Sequence, residues 1–214
     1  MGRKKKTPPR RKTATVIVEG ETEKWYISML KRNERSLPIN IKPELNVKKT
    51  LEKQYEYVVN AAEDYTKVFW IVDFDTILAE TKVAKKGTST PLQRFNNYRN
   101  EIEKEYKNIV IVIVNSPCLE FWLLLHFETT SRYFDKCDKA IKQLKKHLSD
   151  YKKSEQFYTK QDQDIYLKLK PQLQNAIKNA EKLGKFDQET PYKAIAEMHL
   201  FFLDEAFHNY FKDN

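Results

Sequence analysis

The sequence predicts an α/β protein, a parallel sheet flanked by helices and followed by an all-helical C-terminal extension. Three observations predict it. Two short apolar runs, Thr15-Val16-Ile17-Val18-Glu19-Gly20 and Val68-Phe69-Trp70-Ile71-Val72-Asp73-Phe74-Asp75, are rich in β-branched and aromatic residues, and each ends in acid. Runs this short read as buried strands rather than helices. Strand and helix signals then alternate as far as residue 130, the order of a parallel sheet with crossover helices. Beyond residue 130 no strong strand signal remains. The chain therefore divides into a basic tail (1–13), an α/β core (14–130) and a helical C-terminal part (131–214).

In order along the core, the strand Thr15–Glu19 leads through a turn at Gly20 into a helix over about 22–35. A looser strand follows around 39–47, where Pro43 points to a sheet edge. Thr50 can cap a helix over 51–64, whose apolar face is Tyr55, Val58, Val59 and Ala62. The strand ending at Asp73 comes next, then a polar loop over 77–90. Pro91 opens a helix to about residue 106. Ile109–Val114 reads as a further buried strand, and Pro117 starts a short apolar helix over 119–126. Segments 135–148, 161–183 (interrupted at Pro171) and 192–212 read as amphipathic helices.

In open α/β sheets, ligands sit off the carboxyl ends of the strands. Here those ends carry Glu19, Asp73 and Asp75. Two residues apart in extended chain, Asp73 and Asp75 are expected to point the same way. Three converging carboxylates repel one another and lose water, and a divalent cation with oxygen ligands, Mg²⁺ or Mn²⁺, offsets both costs. Glu23, one helical turn beyond Glu19, can face the same cation or simply favour a helix N-terminus. Glu120 lies among apolar residues, so it must reach the site or pair with a basic group or backbone donors. Asn115 and Ser116 follow a strand end, where their amide and hydroxyl groups can cap the next helix or touch phosphate. Lys82, Lys85 and Lys86 are candidates for holding substrate phosphates. His126 is expected to be a half-buried, satisfied histidine, and Trp70 and Trp122 to be core. The Tyr- and Lys-rich stretch with Tyr151, Lys152, Lys153 and Tyr158 fits either a packed helix pair or a strand-tracking surface.

Composition narrows the class. Of a net charge of +9, seven positive charges lie in residues 1–13 with no acid among them, which leaves +2 for the rest. The body is nearly balanced, and the tail is expected to be disordered and to meet phosphates non-specifically. No apolar run approaches the ~18 residues of a membrane span, and the charged, Pro-containing start, with no apolar h-region, is not expected to act as a secretory signal. Cys118 and Cys137 show no metal-ligand spacing, and so sparse a cysteine content suggests a reducing, cytoplasmic compartment.

With Val18-Glu19-Gly20-Glu21-Thr22-Glu23, Asp73-Phe74-Asp75 and the long Asn115-Ser116-Pro117-Cys118-Leu119-Glu120-Phe121-Trp122-Leu123-Leu124-Leu125-His126-Phe127 in place, the chain resembles the Toprim proteins. More narrowly it resembles the RloB-like family associated with bacterial phage defence. The third stretch is the most specific, and Asn179-Ala180-Glu181 and Thr190-Pro191-Tyr192 continue the likeness more weakly. The first motif lacks a residue that RloB-like proteins commonly carry before the threonine, a spacing closer to OLD-type nucleases. The resemblance implies a Toprim-like sheet and a Mg²⁺-dependent nuclease of DNA or RNA. In it Glu19, Asp73, Asp75 and Glu120 do the chemistry, and Glu19, Glu23, Asp73 and Asp75 hold metal. It further implies an antiphage, abortive-infection effector, alone or as a homodimer. The second expectation is an effector or binding subunit inactive by itself and controlled by an AAA- or ABC-type ATPase, since the chain has no phosphate-binding Gly-rich loop. Two cysteines cannot build a primase's zinc ribbon, and the Asn115–Phe127 stretch argues against a ribosomal-RNA maturation enzyme.

Overall fold

The computed structural model describes residues 13–45 and 50–211. The basic tail up to residue 12 lies outside them, and the reading of it stands on sequence alone. Among the described residues, β1 (Thr13–Val18), β2 (Asn40–Leu45), β3 (Lys67–Asp73), β4 (Val110–Ser116) and β5 (Ile195–Ala196) form one sheet of order β2-β1-β3-β4-β5. The first four strands run parallel, and β5 pairs antiparallel with the end of β4. Pro43 does sit on an edge strand, opposite Val16. This is a mixed α/β architecture with a mostly parallel sheet, consistent with a Toprim-like arrangement.

Strand side chains alternate between two apolar layers, as a period of two requires. Val16, Val18, Phe69, Ile71 and Ile113 face a layer built with α1 (Glu21–Asn33), α5 (Leu119–Leu125) and the C-terminal helices. Ile17, Val68, Trp70, Val72, Val112 and Val114 face the other layer, with α2 (Leu51–Asp64), α3 (Phe74–Lys82) and α4 (Pro91–Glu105). Thr50 caps α2 by accepting the Lys53 N–H, and Thr90 with Gln93 forms a capping box around Pro91 at the start of α4. The C-terminal part contains α6 (Cys137–Leu144), α7 (Glu155–Tyr158), α8 (Ile165–Leu169), a 3₁₀ turn at Lys170–Gln172, α9 (Leu173–Leu183) and α10 (His199–Phe202). The break at Pro171 falls where the sequence places it. Among the described residues, no helix is long and apolar enough to cross a membrane.

Four expectations are corrected. The stretch read as a polar loop begins with helix, because Phe74, Ile77 and Leu78 bury one face of α3. Helix starts at Phe74, so Asp75 leaves the sheet in a first helical turn rather than lying beside Asp73 in extended chain. The segment 192–212 is not one helix: two residues add a strand to the sheet, and α10 and a 3₁₀ turn at Glu205–Phe207 follow. Its apolar residues serve two different surfaces, which mimics amphipathic spacing. Cys118 and Cys137 are not free thiols but a disulfide, 19 residues apart in sequence. That bond also withdraws the support that unpaired cysteines lent to a reducing compartment.

Candidate active site

Three adjacent strands deliver the site at their carboxyl ends. Beyond β1 come Glu19 and Gly20, the residue that starts α1. A Cβ on Gly20 would overlap the Glu23 carboxylate, so only glycine lets Glu23 fold back over this turn. Glu23 is 2% exposed, and its Oε1 accepts from the Thr22 hydroxyl at 3.1 Å. From β3 comes Asp73, whose Oδ1 accepts the Leu119 N–H at 3.1 Å. The Asp75 N–H bonds the Pro117 carbonyl at 3.1 Å, and its carboxylate accepts from the backbone N–H groups of Cys137 and Thr76. These bonds stitch the Pro117–Leu119 turn and the start of α6 to the β3–α3 junction. From β4 come Asn115 and Ser116, and from the first turn of α5 comes Glu120.

Glu120 is fully buried and well partnered. Its Oε1 accepts from the Tyr151 hydroxyl at 2.8 Å and meets the Lys153 ammonium at 3.1 Å; Tyr151 and Tyr158 share a further hydrogen bond at 2.8 Å. Its Oε2 lies 3.0 Å from Cys137 Sγ, a contact and not a hydrogen bond, since a disulfide sulfur carries no proton. The sequence offers both fates for Glu120, and the structure combines them.

Electrostatics tie the group together. Burial pushes the Asp73 carboxyl well above its usual range; Glu23, Glu120 and Asp75 push it further and Lys153 opposes them. Burial likewise raises Glu23, with Glu120 adding to it. It raises Asp75 against the backbone donors that favour its ionised form. Glu19 is raised by burial too; a hydrogen bond from Gln54 works against that, and Glu80 and Asp75 add to it. Burial pulls Lys153 down, but Glu120, Asp73 and Glu23 outweigh it and leave it raised.

Several buried polar atoms here have no hydrogen-bond partner: Glu23 Oε2, both side-chain atoms of Asn115, and Ser116 Oγ. Ser116 therefore caps nothing; Cys118 occupies the position before α5, with no side-chain cap bond. One set of potential ligand atoms lies within 4.8 Å of one another, those of Cys118, Glu120 and Cys137, and two of these are spent in the disulfide. The carboxylates of the strand ends do not form such a set among the described residues.

The sequence model of the RloB-like protein family matches residues 15–202. The chain belongs to that family. No curated protein and no solved structure matches it. The span shared with other RloB-like proteins takes in every acid of this group and runs on through α10, so it includes the C-terminal helices as well as the sheet.

Glu19, Glu23, Asp73, Asp75 and Glu120 are thus electrostatic neighbours in this RloB-like chain. Ser116, by contrast, one residue past Asn115 on β4, falls on the opposite face of the strand, that of Val112 and Val114. Lys82 lies on the α3 face that continues from Asp75, lining the same cavity. Lys85 and Lys86 lie beyond the end of α3, exposed, and line none of the site described here. Sequence reasoning missed Lys153, assigning it to a possible stacking surface or helix pair, and it missed Gln54 as a member. The usable signal for Lys153 was Glu120 itself, an acid in an apolar run that had to find a cation. His126 is more buried than expected, 2% exposed, with Nδ1 on the Trp122 carbonyl at 3.1 Å and Nε2 unpartnered. Burial pulls it down to about 4.

Proposed function

We propose that the chain is a metal-dependent nuclease that cleaves DNA or RNA phosphodiesters and serves as a prokaryotic antiphage effector. One observation carries the reading: buried acids of like charge, with raised carboxyls and unpartnered oxygens, gathered at the carboxyl ends of three adjacent strands. Such a group is costly to fold unless its function supplies positive charge. The donors are all oxygen or amide, which suits Mg²⁺ or Mn²⁺ and not zinc. Glu19, Glu23, Asp73 and Asp75 would hold the cation. When bound it supplies charge neutralisation on the phosphate and a more acidic water.

This chain's own residues do the rest. The Lys153 ammonium, held against Glu120, can meet negative charge that develops on a bound phosphate. The unpartnered Asn115 amide, level with Asp73 on the neighbouring strand, can donate to phosphate oxygens. Glu19, partly open to solvent and with a carboxyl raised by burial, can take and return a proton. Tyr151 and Tyr158 fix Glu120, so that Lys153 stays placed.

The setting proposed is the cytoplasm, where invading nucleic acid is met. The Cys118–Cys137 bond is the feature that fits that compartment least, since cytosolic disulfides are rare. With no Gly-rich phosphate loop of its own, the chain would take any nucleotide control from a partner ATPase of the AAA or ABC type, and a homodimer is compatible with either form. The test is to incubate the purified chain with labelled DNA and RNA pools in Mg²⁺, Mn²⁺ and EDTA. Cleavage that needs the cation and disappears in Asp73→Asn is expected. Cation-independent cleavage, or none in any pool with or without the neighbouring ATPase, overturns the reading.

A further inference from the structure

Beside the acids a cavity of about 500 Å³ opens from Asp75, within the ~300–1,000 Å³ range of small-ligand sites. One wall is a single face of α3. Asp75, Leu78, Ala79 and Lys82 are spaced three and four residues apart, so they stack along one side of that helix. Seven residues at 1.5 Å rise set Asp75 and Lys82 roughly 10 Å apart along it, with apolar side chains between. The opposite wall is Tyr133, Lys136 and the start of α6. Tyr133 is half-buried, and its ring is held edge-on by Tyr192 at 6.4 Å and 89°. Burial pushes its hydroxyl up, and Asp135, Tyr192 and Asp75 add to that, so the ring stays neutral.

The cavity thus has an acid end, an apolar and aromatic middle, and a rim that carries Lys82 and Lys136 beside Asp135 and Asp138. On that rim Asp135 is committed to Lys139 at 2.7 Å, which leaves Lys82 and Lys136 facing Asp138. A nucleoside next to a scissile phosphate has the matching sequence of parts: a phosphate at the acid end, a flat apolar base, and a second phosphate beyond. We propose that this cavity takes one unstacked base of single-stranded nucleic acid, laid against Tyr133, with its outer phosphate between Lys82 and Lys136. The placement of the scissile phosphate rests on the nuclease reading above. A base inside a duplex is stacked and paired on both sides and cannot enter a recess between two walls, so the substrate class is a single strand or a flipped nucleotide.

The experiment separates this subsite from the chemistry. Binding of a single-stranded oligonucleotide carrying 2-aminopurine is followed by fluorescence, with Ca²⁺ screening the acids. Hydrolysis of the same oligonucleotide and of bis(p-nitrophenyl) phosphate, a diester with no base, is followed in Mn²⁺. Quenching on binding is expected, and Tyr133→Ala should weaken affinity about 5- to 100-fold, the range of one lost base–aromatic stack, with Tyr133→Phe restoring it. Lys136→Ala should flatten the log–log salt slope by roughly 0.7. In Mn²⁺, Tyr133→Ala should lower kcat/KM for the oligonucleotide relative to that for the small diester. The subsite falls if the folded wild-type chain binds no single strand, if it binds the duplex as tightly, or if Tyr133→Ala binds like wild type. Tyr133-dependent binding without hydrolysis of either substrate, with the neighbouring ATPase added or omitted, supports the subsite and sinks the nuclease reading. Hydrolysis with a ratio that Tyr133→Ala leaves unmoved does the reverse.

Discussion

The molecule buries carboxylates in two ways. Glu34 is 4% exposed, yet its oxygens receive the Tyr166 hydroxyl at 2.6 Å, the Tyr210 hydroxyl at 2.9 Å and the Lys170 ammonium at 2.7 Å. Burial alone would raise it, but those partners outweigh burial and lower it. Glu197, fully buried, accepts the N–H groups of Val114 at 3.0 Å and Phe186 at 2.8 Å and pairs with Arg99 at 3.3 Å. At the strand ends the same residue types are buried beside one another, with an oxygen of Glu23 unpartnered and carboxyls pushed up. A satisfied buried acid is a fastener, because its own chain supplies every partner. An unsatisfied group of them is costly to the fold and points to a partner from outside.

The sharpest way to break this contrast is to neutralise one member of each class. Asp73→Asn should lower cation-dependent cleavage by about a thousandfold, the worth of roughly 4 kcal/mol of transition-state stabilisation, in a chain that remains folded. Glu19→Gln and Asp75→Asn should do likewise. Normal specific activity in any one of the three would remove that residue from the site.

The converse comes next in size. Glu197→Ala removes the acceptor for two backbone donors and the carboxylate partner of the partly exposed Arg99, at a cost of about 3 kcal/mol. Chemical denaturation should show that loss while specific activity per folded molecule stays near wild type. If activity falls and stability does not, Glu197 belongs with the other class and the division is wrong.

Much of this contrast was visible beforehand. Glu19 and Asp73 announce themselves because a buried strand that ends in acid has few structural excuses. Helices 51–64 and 91–105 follow from Thr50 and Pro91, which are local signals. Asp75 was placed in the site for a reason that does not hold: the spacing of two suits extended chain, whereas helix begins at Phe74. Ile77 and Leu78 already carried the helical pattern there. Lys153 was out of reach, since it arrives from a connection between α6 and α7, some 33 residues beyond Glu120. The pairing of Cys118 with Cys137 is of the same kind: it needs the starts of α5 and α6 side by side, which is tertiary information. β5 is two residues long and has no period to read.

A cation that binds only the unsatisfied group should stabilise the chain by linkage. At 100 times its Kd, Mn²⁺ adds about 2.7 kcal/mol, read as a higher Tm. The rise should vanish in Asp73→Asn and persist in Glu34→Gln, whose acid is already occupied. Equal rises in all three proteins would mean that the ion binds elsewhere.

The smallest effect is the pH dependence of the chain without metal. Carboxyls raised in the fold bind protons more tightly folded than unfolded. Their contribution is therefore unfavourable at high pH and is relieved as pH falls through the raised values toward the ordinary 3.8 to 4.5. Other groups run the opposite way: Glu34 is lowered by its partners, and His126, pulled down to about 4 by burial, resists protonation as pH drops below 6.5. Their sum hides the site in any single melting curve. The difference between wild type and Asp73→Asn cancels them. In EDTA at pH 8 the variant should melt higher by about 2–4 °C, what ~1 kcal/mol gives in a chain of this size, because it carries one fewer buried charge. The gap should close as the pH is lowered and the wild-type acids take up protons. With saturating Mn²⁺ it should reverse, since only the wild type then gains from the ion. A gap that is constant with pH would assign the effect of the substitution to packing rather than charge. A wild type that melts higher in EDTA at pH 8 would show Asp73 to be satisfied by its own chain, as Glu34 and Glu197 are.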